Sequence, residues 1–185
     1  LHTWMQRRSR LLAELDELLA AAAWPLIEEA ERVLTISRSS AVAAVLESAW
    51  RRGWRGETVV FDGSAAGGGA DQAARLVEKM SGVHSQPDAT MTGWFAGAGV
   101  RVLTGADAVS PRRVVNVCGT RMLLELASSR SVPAIVVADS GKDLPDDEID
   151  ELLTESPEAV ERGAGRRWPI FEAAPFVLVT DRIRE

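Results

Sequence analysis

The sequence predicts an α/β fold, because three of its features are typical of βαβ units. Apolar runs of about four or five residues alternate with helical stretches of about ten to fifteen residues, a pattern that produces parallel strands joined by helices. The runs are apolar throughout, as in strands that are buried on both faces. With 185 residues the chain is long enough for one hydrophobic core. We therefore expect a Rossmann-like, doubly wound, mostly parallel sheet with flanking helices and a short N-terminal helical segment.

The N-terminal segment is expected to be helical. Over residues 3–22 one helical stripe collects the apolar residues Trp4, Leu11, Leu15, Leu18, Leu19 and Ala22. Pro25 is expected to begin a second short helix, since proline suits the first helical position. The chain opens at Leu1 rather than Met, so we treat this segment as shortened or incomplete. The predicted division is a helical segment at residues 1–30 and a Rossmann-like domain at residues 31–185.

Apolar runs predict strands at residues 33–37, 58–61, 83–85, 100–103, 114–117, 134–138 and 176–179. Helices are predicted at residues 39–53, 70–80 and 89–95, and from Gly119 onward. Residues 139–167 form an acidic, partly helical excursion with a glycine-rich loop at 163–165. This excursion is either a solvated connection or a segment that binds a partner or covers a ligand.

Charge and composition exclude several classes of function. The chain carries 21 basic and 27 acidic residues, for a net charge of −6, whereas a general nucleic-acid binder needs a basic surface. The lone Cys118 and two histidines cannot supply an ordinary zinc site, so we predict neither a metal nor a cofactor. No run of about 18 apolar residues is present, so no membrane span is expected. A single cysteine forms no intrachain disulfide, which fits a cytoplasmic location.

Ligands of open α/β sheets bind beyond the carboxyl ends of the strands, and several polar segments are expected there. The first is Ser37-Arg38-Ser39-Ser40, between a strand and a helix. Its amides, hydroxyls and arginine suit a phosphate, and a helix cap with a solvated arginine is the alternative. The second is the loop at residues 63–69, whose glycines either let the backbone approach a ligand or form a simple turn.

Further candidates follow the later strands. Asp107 can exchange a proton with a sugar hydroxyl, or it can bond its own backbone in a turn. Asn116 and Thr120 either orient a ligand or cap a helix. Cys118 precedes a helix N-terminus, where the pKa of a thiol falls, although a small buried hydrophobic side chain is the simpler interpretation. His84 is expected to be structural, because no nucleophile elbow accompanies it.

Taken together, these segments resemble a known family. The elements that match in order and spacing are Val33-Leu34-Thr35-Ile36-Ser37-Arg38-Ser39-Ser40, Gly105-Ala106-Asp107-Ala108-Val109, Asn116-Val117-Cys118-Gly119-Thr120, and Pro133 with Val136-Val137-Ala138-Asp139-Ser140 and Lys142. The family comprises the alpha, beta and delta regulatory subunits of translation initiation factor 2B, methylthioribose-1-phosphate isomerase and ribose-1,5-bisphosphate isomerase. The resemblance covers about residues 31–181.

The resemblance implies a pocket for a small phosphorylated ligand, a ribose phosphate or a nucleotide, at the strand ends. It also implies a homodimer formed through the C-terminal domain and a longer helical N-terminal domain in most members. The candidate catalytic residues are Asp107 and Ser37. The candidate ligand-binding residues are Thr35, Arg38, Ser39, Ser40, Gly67, Gly68, Asp88, Asn116, Gly119, Thr120 and Lys142.

Three departures from the family pattern stand beside the retained Asp107. Ser37 occupies the position of the isomerases' cysteine, and a hydroxyl is a much weaker acid than a thiol. Ala65 and Ala66 replace an arginine–proline pair, and Val117 replaces a lysine. These changes remove charge-assisted contacts to a phosphate, although a nearby arginine, at position 38 or 112, can compensate.

The departures favour an initiation factor 2B-like binding or regulatory protein with a degenerate sugar-phosphate or nucleotide pocket. The alternative is an aldose–ketose isomerase that acts on a 1-phosphorylated pentose of the ribose-1,5-bisphosphate or methylthioribose-1-phosphate type, with Asp107 as its acid/base group. A third hypothesis is an assembly protein without a ligand, whose N-terminal leucines and six tryptophans supply the interface.

Overall fold

The structure is a computed structural model that describes residues 2–63, 67–155, 158–160 and 167–185, with side chains from residue 10 onward except at 158–160 and 167. The α-helices are α1 (His2–Ile27), α2 (Ser40–Arg51), α3 (Gly69–Val77), α4 (Thr120–Ser129) and α5 (Asp146–Thr154). The strands are β1 (Arg32–Ile36), β2 (Glu57–Phe61), β3 (Val83–Gln86), β4 (Val100–Gly105), β5 (Ala108–Val109), β6 (Arg113–Val117), β7 (Ala134–Val137), β8 (Glu158–Val160), β9 (Arg167–Pro169), β10 (Phe171–Pro175) and β11 (Asp181–Ile183). Short 3₁₀ helices lie at Asp88–Phe95, Ser140–Lys142 and Phe176–Leu178.

A parallel sheet forms the centre of the fold, and it confirms the predicted α/β class. Its strands lie in the order β11-β7-β4-β1-β2-β3, and every neighbouring pair is parallel. Starting from β1, the chain first builds outward through β2 to β3 and then returns to build outward through β4 and β7 to β11. This is the doubly wound arrangement, in which β1 and β4 are neighbours at the point of reversal.

Apolar side chains cover both faces of this sheet. On one face, α1, α2 and α3 pack on Val33 and Val60. On the opposite face, α4 and the 3₁₀ helix Asp88–Phe95 pack on Leu34 and Val59. Because successive residues of a strand lie on opposite faces of a sheet, burial of both faces explains why the strands are apolar throughout.

A second, antiparallel sheet lies on the face that α4 covers. Its strands have the order β10-β6-β5, and Val114 of β6 packs on Val136 of β7. The prediction of extended structure at residues 114–117 is therefore confirmed, but the strand lies outside the parallel sheet. Its position depends on pairing with β10, which is distant in sequence.

The predicted strand at residues 176–179 is wrong. These residues begin with the 3₁₀ helix Phe176–Leu178, and the strands on either side are β10 and β11. Phe176 and Val179 contribute partly buried side chains to the core, which accounts for the apolar pattern. The sequence of β10, FEAAP, has no strong strand signal, and its five-residue pairing with β6 determines its conformation.

α1 is one continuous helix, so the prediction of a second helix from Pro25 is also wrong. Pro25 lies two residues before the end of the helix at Ile27, where it removes only one backbone hydrogen bond. Ala23 and Ile27 are fully buried in the core, and this packing overrides the local preference of proline. Although α1 has 26 residues, neither it nor another described helix is both long and apolar enough to cross a membrane.

The acidic excursion contains a docked helix. α5 packs through the buried Ile149 against β5 and β6. Asp146 accepts hydrogen bonds from Ser110 Oγ (2.6 Å) and Arg112 Nε (2.8 Å). These bonds, with smaller contributions from the charge of Arg112 and a hydrogen bond from Arg113, lower the pKa of Asp146 to about 2. The predicted glycine loop at residues 163–165 lies outside the described residues, and the helix predicted at residues 89–95 is a 3₁₀ helix.

Gly69, the first residue of α3, lies directly against the end of β2. A Cβ added there would lie 2.6 Å from the Cα of Asp62 and closer still to the Phe61 carbonyl oxygen, and these backbone atoms cannot move aside cheaply. We expect Gly69→Ala to lower the free energy of unfolding by about 1–3 kcal/mol. For a chain of this size the Tm falls by roughly 2–12 °C, which thermal and chemical denaturation measure.

Gly93→Ala is the matched control for this prediction. A Cβ at Gly93 meets no atom within 4 Å, so its unfolding free energy should stay close to that of the wild type. Equal stabilities of the two variants would contradict the close-approach explanation.

Candidate functional site

A crevice opens at the carboxyl end of the sheet between β1 and β4. The chain leaves β1 for α2 on one face, whereas it leaves β4 for the antiparallel sheet on the other face. Two neighbouring connections that diverge leave a gap, and open α/β sheets bind their ligands in this gap. Residues 37–39 and 106–107 border it.

Two adjoining cavities occupy the crevice, with volumes of about 330 and 180 Å³. Both are lined by Arg38, Ser39, Asp107 and Asn116. The larger cavity is also lined by Ile36, Ser37, Gly67, Gly68, Asp71, Val117 and Phe171. The smaller is also lined by Ser40, Ala41, Gly105, Ala106, Val137, Ala138, Asp139 and Lys142. The fold thus brings most of the predicted site residues to one place.

Ser37 lies at the base of the crevice and has a strained backbone conformation. It follows β1 with a φ of 56°, a region that only glycine enters freely. Its amide donates to the Phe61 carbonyl (2.8 Å), and its Oγ donates to the Gly67 carbonyl (2.8 Å). Only 8% of the residue is exposed. The hydroxyl proton therefore ties β1 to the glycine loop and is not free for a ligand.

α2 begins at the crevice and presents its N-terminus there. Ser39 caps the helix, because its Oγ accepts a hydrogen bond from the Val42 amide (3.3 Å). Ser40 and Ala41 supply first-turn amides, which have no partner within a helix and carry the positive end of its dipole. Gly105 leaves room for the cap, since a Cβ there would lie 2.5 Å from Ser39 Oγ. This helix end suits an anionic group.

The glycine loop lies against the β1–α2 connection. Gly68 has a φ of 100°, and a Cβ at this position would lie 3.2 Å from the Cβ of Arg38. Gln72 of α3 is buried and donates its Nε2 to the Ser39 carbonyl (3.0 Å). These contacts hold α2 and α3 together at the crevice. Residues 64–66, which include Ala65 and Ala66, lie outside the described residues.

Asp107 and Lys142 bring opposite charges to the smaller cavity. Partial burial raises the pKa of Asp107, and the positive charge of Lys142 opposes this by a smaller amount. The Asp107 amide donates to the Val115 carbonyl (2.8 Å), while its carboxylate forms no hydrogen bond with the described residues. A carboxylate in a cavity with a raised pKa is suited to proton transfer or to accepting a hydroxyl.

Asn116 is oriented by two buried threonines. Its Nδ2 donates to Thr104 Oγ1 (3.1 Å) and to Thr120 Oγ1 (3.0 Å), and Thr104 Oγ1 donates in turn to the Gly105 carbonyl (3.2 Å). Because both hydrogens of the amide are used, Oδ1 is left as the polar atom for a ligand. Asn116 therefore suits a hydroxyl group, which donates, better than a phosphate.

Four predicted site residues line neither cavity: Thr35, Asp88, Gly119 and Thr120. The two threonines are buried. The Gly119 amide donates to Glu172 Oε1 (2.7 Å), and the Gly63 amide donates to Asp88 Oδ1 (2.9 Å). The structure places these residues where they support the loops of the crevice.

Cys118 is half-buried rather than fully buried, and neither Cys118 nor His84 has the surroundings of an activated group. Burial, and then the negative charge of Glu172, raise the pKa of Cys118, whereas an activated thiol needs a lowered pKa. His84 contacts Glu57 (Nε2–Oε1, 3.2 Å) and stacks on Trp94, and it lines neither cavity.

Sequence reasoning missed two side chains at this site, those of Asp71 and Phe171. Asp71 lies in the first turn of α3, and its position directly after the glycine loop was a usable signal. Phe171 belongs to β10, and no local pattern connects β10 with the end of β1. The pairing of β10 with β6 brings Phe171 to the crevice.

The two cavities are lined by side chains of both charges and, on one side, by apolar side chains. Its cations are Arg38 and Lys142, and its carboxylates are Asp71, Asp107 and Asp139. Apolar side chains from β1, β6 and β10 line the larger cavity. Within the described residues, no group of three or more histidine, cysteine or carboxylate side chains could hold a metal ion. The arrangement suits a ligand with one anionic group, free hydroxyls and an apolar surface.

The sequence model of the initiation factor 2 subunit family, IF-2B, matches residues 6–167. The chain belongs to this family. The resemblance drawn from the motifs is thereby confirmed, and the matched range includes the loops that border the crevice.

Solved structures of eIF-2B proteins and of an isomerase share the fold. Translation initiation factor eIF-2B from Pyrococcus horikoshii OT3 matches with a TM-score of 0.84 at 23% identity, over 94% of this chain and 63% of that chain. The 5-methylthioribose 1-phosphate isomerase of the same organism matches with a TM-score of 0.74 at 18% identity, over 92% and 54%. A chain of the tetrameric eIF2B-beta2-delta2 complex from C. thermophilum matches with a TM-score of 0.74 at 15% identity, over 91% and 55%.

At identities of 15% to 23%, these similarities establish the fold alone. The chain spans only 54% to 63% of the length of these three relatives. No curated protein shows significant sequence similarity to it.

The orientation of Asn116 gives a testable prediction. Thr104→Val removes one acceptor of the Asn116 amide while preserving the shape of a buried side chain. We expect a loss of about 1–2 kcal/mol in the free energy of unfolding, since a polar partner loses its hydrogen bond. Urea denaturation measures the loss.

Thr58→Val is the matched control. Thr58 is equally buried in a strand, but its Oγ1 has no hydrogen-bond partner among the described residues. This substitution should therefore be neutral or stabilising. Equal losses at the two positions would contradict the role given to Thr104.

Proposed function

We propose that this IF-2B family chain is a binding or regulatory module that holds a ribose phosphate or a nucleotide in the crevice without converting it. One observation supports this most strongly. The N-terminus of α2, which suits an anion, and side chains that accept hydrogen bonds from hydroxyl groups border the same crevice. Arg38, Ser40 and Lys142 lie beside Asp107 and Asn116 in the two connected cavities. A phosphorylated sugar combines these two kinds of group.

In the proposed complex the phosphate binds at the N-terminus of α2. The first-turn amides donate to it, and Arg38 pairs with its charge. The sugar hydroxyls donate to the Asp107 carboxylate and to Asn116 Oδ1. The base of a nucleotide, or an apolar substituent of a sugar, packs against Phe171 and its apolar neighbours in the larger cavity.

Ser37 supports a binding role rather than catalysis. In the isomerases that the sequence resembles, a cysteine takes this position, whereas here the Ser37 hydroxyl donates to the Gly67 carbonyl. A hydroxyl that is a weak acid and already hydrogen-bonded is a poor proton donor to substrate. Val117 also provides no charge where the family has a lysine.

We further propose a cytoplasmic location, a homodimer formed through the C-terminal domain, and a division between residues 1–30 and 31–185. The lone cysteine and the family resemblance support these proposals. If the protein binds no phosphorylated ligand, that result would instead favour the third hypothesis, an assembly protein without a ligand.

Ligand binding is tested by thermal shift with ribose 1,5-bisphosphate and AMP. A ligand that binds the native state raises the Tm by mass action, so we expect a concentration-dependent rise with at least one of the two. Arg38→Ala should weaken binding about 10- to 100-fold, since it removes a charge-assisted hydrogen bond worth roughly 1.5–3 kcal/mol.

Arg75→Ala is the control for lost charge. Arg75 is exposed in the last turn of α3 and lines neither cavity. The Arg75→Ala variant should bind ribose 1,5-bisphosphate and AMP with the same affinity as the wild type. A Tm that responds to neither ligand, or an Arg38→Ala variant with unchanged affinity, would contradict the proposed pocket.

Isomerisation of a 1-phosphorylated pentose is the second candidate function, and the raised pKa of Asp107 favours it. Asp107 would then move a proton between C1 and C2 of the sugar. We expect the purified protein to show no turnover of ribose 1,5-bisphosphate or methylthioribose 1-phosphate. Turnover that Asp107→Asn abolishes would replace the binding proposal with this alternative.

A further inference from the structure

The two cavities of the crevice differ in the charge of their linings. In the smaller cavity the cations Arg38 and Lys142 accompany the carboxylates Asp107 and Asp139, so the charges balance. The larger cavity shares Arg38 and Asp107 with the smaller one and adds the carboxylate of Asp71. Among the described residues, one cation therefore stands against two carboxylates in the larger cavity. An anionic group of a ligand is better accommodated in the smaller cavity.

The two helices that begin at the crevice differ in the same way. The first turn of α2 contains no acidic residue, whereas Asp71 lies in the first turn of α3. A helix N-terminus carries roughly half a positive charge, and a carboxylate in the first turn offsets it. The end of α2 thus remains available to a phosphate, while the end of α3 already has a carboxylate of the chain itself. Residues 64–66, which precede α3, are Ser-Ala-Ala and add no ionisable side chain.

Size and apolar character also distinguish the larger cavity. Its volume is about 330 Å³, against about 180 Å³ for the smaller cavity. Ile36, Val117 and the aromatic Phe171 line it. Burial of an apolar ligand surface against such side chains is favourable, whereas a charged group placed there loses hydration without gaining a second cation from the described residues. The larger cavity therefore suits an uncharged group with an apolar face, such as a nucleobase.

We propose that the crevice selects ligands with a single phosphate and an uncharged group at the opposite end of the sugar, and that Asp71 excludes a second phosphate. This inference rests on the proposed function. With the phosphate at the N-terminus of α2, Arg38 neutralises that group and is not available to another. A second phosphate would enter the cavity that Asp71 lines, and like charges without a cation between them disfavour such a ligand. Asp71 is thus a specificity-determining residue.

Three ligands that share ribose 5-phosphate and differ in the group at C1 test this inference. Ribose 5-phosphate itself has a hydroxyl there, AMP has adenine, and ribose 1,5-bisphosphate has a second phosphate. Isothermal titration calorimetry of the whole 185-residue chain measures the three affinities. We expect AMP to bind about 10-fold more tightly than ribose 5-phosphate, because adenine buries apolar surface. Ribose 1,5-bisphosphate should bind about 3- to 10-fold more weakly than ribose 5-phosphate, because its second phosphate lies close to a carboxylate at the protein surface.

Asp71→Asn removes the carboxylate and preserves the shape of an exposed side chain, so circular dichroism should show unchanged folding. The preference for ribose 5-phosphate over ribose 1,5-bisphosphate should fall about 3- to 10-fold, since the repulsion is removed. Glu78→Gln is the matched control, because Glu78 is also exposed, lies at the other end of α3 and lines neither cavity. The charge change is identical, so the Glu78→Gln variant should keep the wild-type preference.

Equal or tighter binding of ribose 1,5-bisphosphate than of ribose 5-phosphate by the wild type would overturn this inference and leave the proposed pocket in place. The same holds for AMP that binds no more tightly than ribose 5-phosphate, and for an Asp71→Asn variant with the wild-type preference. If none of the three ligands binds, the inference and the proposed function are both overturned.

Discussion

The pairing of β1 with β4 in the middle of the sheet is the constraint on which the site depends. These strands are parallel neighbours, yet the chain leaves them toward opposite faces. Strand side chains lie above and below a sheet rather than beyond its ends, so they cannot fill the resulting gap. Polar loops from α2, α3, β4, β6 and β7 border it instead. A crevice therefore follows from the topology before any residue is considered.

Close backbone packing fixes the shape of that gap. Gly69 and Gly105 each occupy a place where a Cβ would collide with a neighbour, and Ser37 accepts a left-handed backbone between them. The hydroxyl of Ser37 satisfies the Gly67 carbonyl, so this residue links the end of β1 to the glycine loop.

Much of the fold was predictable from the sequence, because the local apolar pattern and the tertiary structure agree in the buried strands. The runs around Val33, Val60 and Ile135 are apolar for the simple reason that both faces are covered. Prediction failed where distant pairing decides the conformation. β10 is a strand only because β6 pairs with it, and its Phe171 reaches the larger cavity by the same route. The helix across Pro25 likewise depends on the burial of its neighbours rather than on its own sequence.

The proposed complex depends on binding of the phosphate and hydroxyl groups of one ligand between β1 and β4. Titration of ¹⁵N-labelled protein with ribose 1,5-bisphosphate or AMP, followed by amide chemical shifts, tests it most directly. We expect saturable shifts at Ser40, Ala41 and Gly68, while amides around Val109 and Arg184, which line a separate cavity, stay unchanged. Shifts confined to that separate cavity would contradict the claim.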